Sequence, residues 1–355
     1  MSEHINQHRR RFLASATIAV AAVELGLTGT ANAKTASTLS GEAPAIKAGT
    51  NVSLGPLKQI DAGLLNVGYA ELGPADGTPV VLLHGWPYDI HSFIDVAPTL
   101  AAKGYRVIVP HLRGHGTTRF LSDGTARTGQ QAAVAQDIIA LMDALQISKA
   151  ILAGFDWGAR TANIIAALWP DRCKAMVSVN GYLINDRERN KMPLSPAAEQ
   201  AGWYQFYFAT ERGRAGLEAN RRALANLIWK SNSPKWNFGK VLFDRSAASF
   251  DNPDYVAIVI HSYRWRLSIE PGEPEYDDIE RLLAESPTIS VPTITLDGDA
   301  DGITPASNGS ASAGMFSGKR AHRIIAGAGH NLPQEAPQDF VDAVIDVDGY
   351  ANGAV

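Results

Sequence analysis

The chain has 355 residues, 45% hydrophobic and 19% charged, with a formal net charge of −4. That composition supplies a substantial core, and the length fits two domains or one carrying an insertion. No basic run lies beyond the extreme N-terminus, so nothing points to a nucleic-acid partner and none is expected, and the single cysteine, Cys173, excludes an intrachain disulfide and leaves no metal-site pattern.

Arg9-Arg10-Arg11-Phe12-Leu13, a weakly apolar stretch from Ala14 to Leu27 and the small-residue run Ala31-Asn32-Ala33 read together as a twin-arginine export signal over residues 1–33. The expected location is periplasmic or secreted. The apolar stretch is interrupted by Glu24 and falls short of the ~20 apolar residues a spanning helix needs, so no stable membrane insertion is expected once the signal is removed. Residues 34–50 read as a linker.

Residues 51–181 read as the first part of a core. Val52 to Leu54 and Leu64 to Leu72 are expected to form an opening antiparallel pair. Val80-Val81-Leu82-Leu83 has the continuous apolar character of a strand buried on both faces, and it runs into His84-Gly85-Trp86-Pro87. Helical periodicity follows from Ile94 to Ala102, then a strand from Tyr105 to Val109, the loop His111 to Gly116, and a helix from Gln130 to Leu145. A strand at 150–156, a helix to Leu168 and a strand at 175–179 complete this part. Over 182–285 the pattern turns helical and aromatic, punctuated by Pro193, Pro196, Pro234, Pro253 and Pro271, and reads as an inserted cap. Strands return at 293–296 and 322–325, with a last helix over 338–347, so 286–355 closes the core. Strands alternating with helices imply an α/β fold, a mostly parallel sheet with helices on both faces.

Gly154-Phe155-Asp156-Trp157-Gly158 has the layout of a nucleophile elbow, a sharp strand-to-helix turn that lifts one side chain above the sheet edge. Glycine suits both flanks because a Cβ there would meet neighbouring backbone. The usual central serine is replaced by Asp156. A carboxylate suits displacement at an sp3 carbon, leaving an alkyl ester on itself. Such a nucleophile needs a base and an orienting acid at the ends of later strands. Gly329-His330 follows one strand, and Asp297-Gly298-Asp299-Ala300-Asp301 follows the other, so His330 is the candidate base and Asp301 the candidate acid, with Asp299 its rival. The order Asp156, Asp301, His330 is that of the hydrolase fold.

These segments resemble the α/β-hydrolase branch that holds epoxide hydrolases and haloalkane dehalogenases, over roughly residues 55–345. The resemblance implies a helical cap, no cofactor, no metal, and an oxyanion hole made by the backbone N–H groups of Trp86 and Trp157. It also implies two cap tyrosines that bond an epoxide oxygen. Tyr204, with Tyr207 as rival, and Tyr263 stand in the matching segments. The implied partners are a small apolar substrate and water. Cap aromatics such as Trp203, Phe206 and Trp265 suggest an apolar pocket.

Three functions are compatible with this reading. The first is hydrolysis of epoxides to vicinal diols. The second is removal of halide from a haloalkane or haloacid on the same triad. Fluoroacetate dehalogenases resemble the elbow too, with Arg160 at one of their carboxylate-binding arginines but Trp157 where they place a second. The third is a hydrolase-fold protein that binds a ligand without turning it over.

Overall fold

The computed structural model describes residues 48–353. The export signal expected over 1–33 and most of the 34–50 linker lie outside the described residues. Among the described residues nine strands form one sheet: β1 Lys58–Ala62, β2 Leu65–Leu72, β3 Pro79–Leu83, β4 Arg106–Pro110, β5 Arg119–Phe120, β6 Ala150–Gly154, β7 Cys173–Val179, β8 Thr293–Gly298 and β9 Arg320–Ile325. Their order across the sheet is β1-β2-β4-β3-β6-β7-β8-β9, with β5 paired to β2. The β1/β2 and β2/β4 pairs are antiparallel, and every pair from β4/β3 to β8/β9 is parallel.

All five residues of β6 are buried, as are Val80 to Leu83 of β3. Such strands read as continuous apolar runs because helices cover both faces. Each aliphatic side chain removed from water there contributes about 1.5–3 kcal/mol. The covering helices include α1 (Val96–Ala102), α2 (Gln131–Ala144), α3 (Trp157–Leu168) and, at the end of the chain, α11 (Pro337–Ala351), with the short α10 (Leu332–Glu335) packed against α11. Cys173 is a buried free thiol in this core.

The expected first strand at Val52 to Leu54 is not there. Val52 is exposed, and the strand that pairs with β2 is Lys58–Ala62, joined by a two-residue turn in which Gly63 has φ of 60°. This edge strand is mostly exposed, so it carries no apolar signal; the hairpin sets it instead.

Between β7 and β8 the chain leaves the sheet and forms α4 (Pro196–Ala201), α5 (Trp203–Phe208), α6 (Glu211–Asn232), α7 (Lys240–Ala247), α8 (Tyr255–Arg266) and α9 (Asp277–Ala284). Thr210 caps α6 by accepting from Gly213 N, and Ser195 caps α4 by accepting from Ala198 N. α5 and α6 each pack against α8. No helix among the described residues is long and apolar enough to cross a membrane.

Candidate active site

Asp156 stands between β6 and α3 with φ of 52° and ψ of −121°, a conformation that costs a non-glycine residue of order 1–3 kcal/mol. The tightness of the turn explains its glycines. A Cβ on Gly158 would fall 1.9 Å from the Leu83 carbonyl oxygen, and one on Gly154 would fall 2.7 Å from Gly158. The β3/β6 pairing brings the loop after β3 alongside, and the Trp86 backbone N–H donates to Asp156 Oδ1 at 2.8 Å. That loop is itself braced. His84 Nε2 accepts from Leu112 N at 3.1 Å, and burial holds His84 neutral, with its pKa lowered to about 3.

His330 follows β9. Its Nε2 lies 3.6 Å from Asp156 Oδ2, and its Nδ1 donates to Asp301 Oδ2 at 2.8 Å. Asp301 Oδ1 accepts the backbone N–H groups of Ile303 and Thr304, both at 2.9 Å, so the carboxylate is fixed by its own loop. Asp299 turns the other way, accepts from Gly327 N at 2.7 Å and is well exposed. Burial alone would lower the His330 pKa, but the two carboxylates outweigh it and raise it to about 10. Burial would raise that of Asp156, but His330, Arg160 and the Trp86 N–H hold it below the usual carboxylate value. Asp156 and His330 therefore form an ion pair at neutral pH.

Tyr204 and Tyr263 are both buried, with ring centroids 5.7 Å apart, and both pack on Trp86, at 5.4 and 5.3 Å. Burial raises both phenol pKa values, and the nearby Asp156 charge adds to the rise, so both hydroxyls stay protonated. Tyr207 is placed differently: its hydroxyl lies over Gly216 of α6. Trp157 is buried, and its indole Nε1 has no hydrogen-bond partner among the described residues. The Trp86 indole, in contrast, donates to Tyr255 Oη at 2.8 Å.

Phe206 departs from the expected apolar pocket. It is 48% exposed and lines an outer groove with Met192 and Leu194, because it falls on the solvent side of α5 while Tyr204 and Phe208 face inward. Trp203 packs on Tyr204 and Tyr207, and Trp265 is buried beside Arg160 and Arg266. Phe208, 5.5 Å from Trp86 and 5.6 Å from Tyr263, completes the aromatic wall; its place on the Tyr204 helix one turn later was the available signal. Ser233 and Glu335, which hold the His330 loop, had no sequence signal, since 102 positions separate them. Among the described residues, no group of three or more His, Cys, Asp or Glu is placed to hold a metal ion.

The parallel sheet, the strained Asp156 turn and the Asp156, His330 and Asp301 contacts define a hydrolase-fold site, and the chain belongs to the alpha/beta hydrolase fold family, which residues 78–337 match. It is similar to a crystal structure of a Klebsiella pneumoniae protein provisionally named an epoxide hydrolase. The two are 56% identical with a TM-score of 0.81, over 82% of this chain and 97% of that one. It is 31% identical over 150 residues to epoxide hydrolase B of Mycobacterium tuberculosis, covering 39% of this chain and 41% of that protein. It is 34% identical over 131 residues to a haloalkane dehalogenase of Mycobacterium marinum, covering 36% of this chain and 43% of that protein. The chain thus aligns with less than half the length of these two curated relatives.

Proposed function

We propose that this protein hydrolyses epoxides to vicinal diols, without a cofactor, through an alkyl ester on Asp156. The reading is carried by two buried, protonated phenols, Tyr204 and Tyr263, gathered within the electrostatic reach of an ionised Asp156. A strained-ring oxygen leaves as an alkoxide and needs such donors.

In the first half, a carboxylate oxygen of Asp156 bonds to an epoxide carbon and the ring C–O bond breaks. The alkoxide takes a proton from the tyrosine pair, which is made good from protonated His330 through water. His330 is now neutral, and the loss of the Asp156 charge removes one of the two anions that held its proton. In the second half, His330, oriented by Asp301, takes a proton from water as its oxygen attacks the Asp156 ester carbonyl. The resulting oxyanion is held by the backbone N–H groups of Trp86 and Trp157. Trp157 opens α3, where an N–H has no partner within the helix. Collapse breaks the ester bond, the leaving oxygen takes the carboxyl proton, and the diol departs from an enzyme restored to Asp156 carboxylate and protonated His330.

One observation favours a second reading. The unpartnered Trp157 indole N–H is a donor that a departing halide could use. A panel of epoxides beside haloalkanes, with diol and halide both measured, decides between them. Diol formation supports the first reading; halide without diol replaces it with the second; turnover of neither leaves ligand binding. We also propose export by the twin-arginine route from the Arg9-Arg10 pair. Unchanged export of an Arg9→Lys, Arg10→Lys variant would exclude that route.

A further inference from the structure

The chemistry proposed above sits on three separate loops, those that carry Trp86, Asp301 and His330. The last turn of α6 bonds to all three. Trp229 Nε1 donates to the Pro87 carbonyl at 2.6 Å, next to the Trp86 N–H. The Asn232 carbonyl accepts from Gly302 N at 2.8 Å, next to Asp301. Just past the helix, Ser233 Oγ accepts from His330 N at 3.0 Å and donates to Glu335 Oε1 at 2.6 Å. Glu335 in turn accepts Gly329 N at 2.7 Å and Asn331 N at 3.0 Å, on either side of His330.

The approach is close and dry. Trp229, Asn232 and Ser233 are buried, and a Cβ on Gly329 would fall 2.6 Å from Ser233 Oγ. Elsewhere along its length α6 packs against α5 and α8, the helices that carry Tyr204 and Tyr263. A polar group buried this deeply costs more unpaired than its bond gains, so these bonds fix geometry more firmly than surface bonds would.

All three loops act together in the second half of the reaction. The Trp86 N–H, the Asp301 carboxylate and the His330 imidazole act when water attacks the ester. Attack by Asp156 on the substrate uses the elbow, the two phenols and the Trp86 N–H bond to the carboxylate, with His330 serving only as a proton source and not as a base. We propose that the C-terminal turn of α6 is a positioning element for ester hydrolysis, acting through Trp229 and Ser233. The step it aligns forms a bond from the water oxygen to the Asp156 carbonyl carbon. The water proton goes to His330 Nε2, and the carbonyl electron pair to the oxygen facing Trp86 N–H. The proposal rests on the alkyl-ester reading of Asp156.

The test is rapid-quench kinetics with styrene oxide on Ser233→Ala and Trp229→Phe. A misplaced base and oxyanion donor should slow ester hydrolysis about 10–100-fold and slow alkylation far less. The alkyl-enzyme then accumulates, and kcat and KM fall together while kcat/KM changes little. A merely structural role gives the opposite signature: kcat falls, KM does not, and no ester builds up; that result overturns the proposal. If Ser233→Ala fails to fold, Trp229→Phe keeps a ring stacked between Tyr88 and Trp236 and answers alone. His330→Gln is run alongside. If it forms no ester either, the Asp156 reading has failed; if it stalls as ester and the α6 variants do not, only the role of α6 has failed.

Discussion

His330 donates from Nδ1 to Asp301 Oδ2 at 2.8 Å, which leaves Nε2 turned toward Asp156. One imidazole thus bridges two carboxylates, and most of what can be tested about this protein follows from that bridge.

His330→Gln should open an epoxide once and then stall. Alkylation needs the ionised Asp156 and the phenol donors but no base, whereas ester hydrolysis needs a base. Intact-mass measurement should show one added substrate, and peptide mapping should place it on Asp156. Asp156→Ala should show neither adduct nor turnover. In heavy-oxygen water the wild-type enzyme should first take label into Asp156. Label appearing directly in the first-turnover diol, with Asp156 unlabelled, would mean that Asp156 acts as a general base instead.

The bridge also makes stability depend on pH. Unfolded histidine titrates near 6.5, and folded His330 at about 10, because Asp301 and Asp156 outweigh the effect of burial. The folded state binds this proton more tightly than the unfolded state. Its contribution is full below about pH 6.5 and is lost as pH rises toward about 10. Denaturant melts at pH 6, 8 and 10 should show wild-type stability declining more steeply over that range than His330→Gln. Equal declines would mean that the bridge does not hold the proton.

Asp301 and Asp299 can be separated by paired substitutions. Asp301→Asn should cost about 100–10,000-fold in kcat, since the imidazole loses its orienting anion. Asp299→Asn should change kcat less than about 3-fold, because that side chain is well exposed and bonds Lys235 and the Gly327 backbone N–H of the loop after β9, without touching the His330 imidazole. Comparable losses at the two positions would put the triad acid in doubt.

Tyr204→Phe and Tyr263→Phe should each reduce epoxide turnover on the order of 10–1000-fold, and the double variant should remove nearly all of it. Both donors serve one oxygen, so the effects should be strongly non-additive. Neither phenol carries a charge to lose, and both rings keep their packing on Trp86, so melting temperature should move little. Near wild-type turnover in the double variant would mean that the tyrosines only pack.

The sequence alone determined the parts whose physics is local. Continuous apolar runs mark β3 and β6 because burial on both faces leaves no place for alternation. Gly154-x-Asp156-x-Gly158 marks the elbow because only glycine tolerates backbone 1.9–2.7 Å from its Cβ position. The tertiary structure decided what depends on distant segments meeting. It separated Asp301 from Asp299, two residues apart, because only the former turns inward to His330. It separated Tyr204 from Tyr207, because one ring meets Trp86 of the core and the other lies over Gly216 of α6. It turned Phe206 outward, and it found the first strand in an exposed hairpin edge with no apolar pattern. It also joined Trp229 and Ser233 to the loops of Pro87 and His330, 142 and 97 positions away. Buried hydrogen bonds of that kind depend on where helices dock, and no spacing along the chain encodes them.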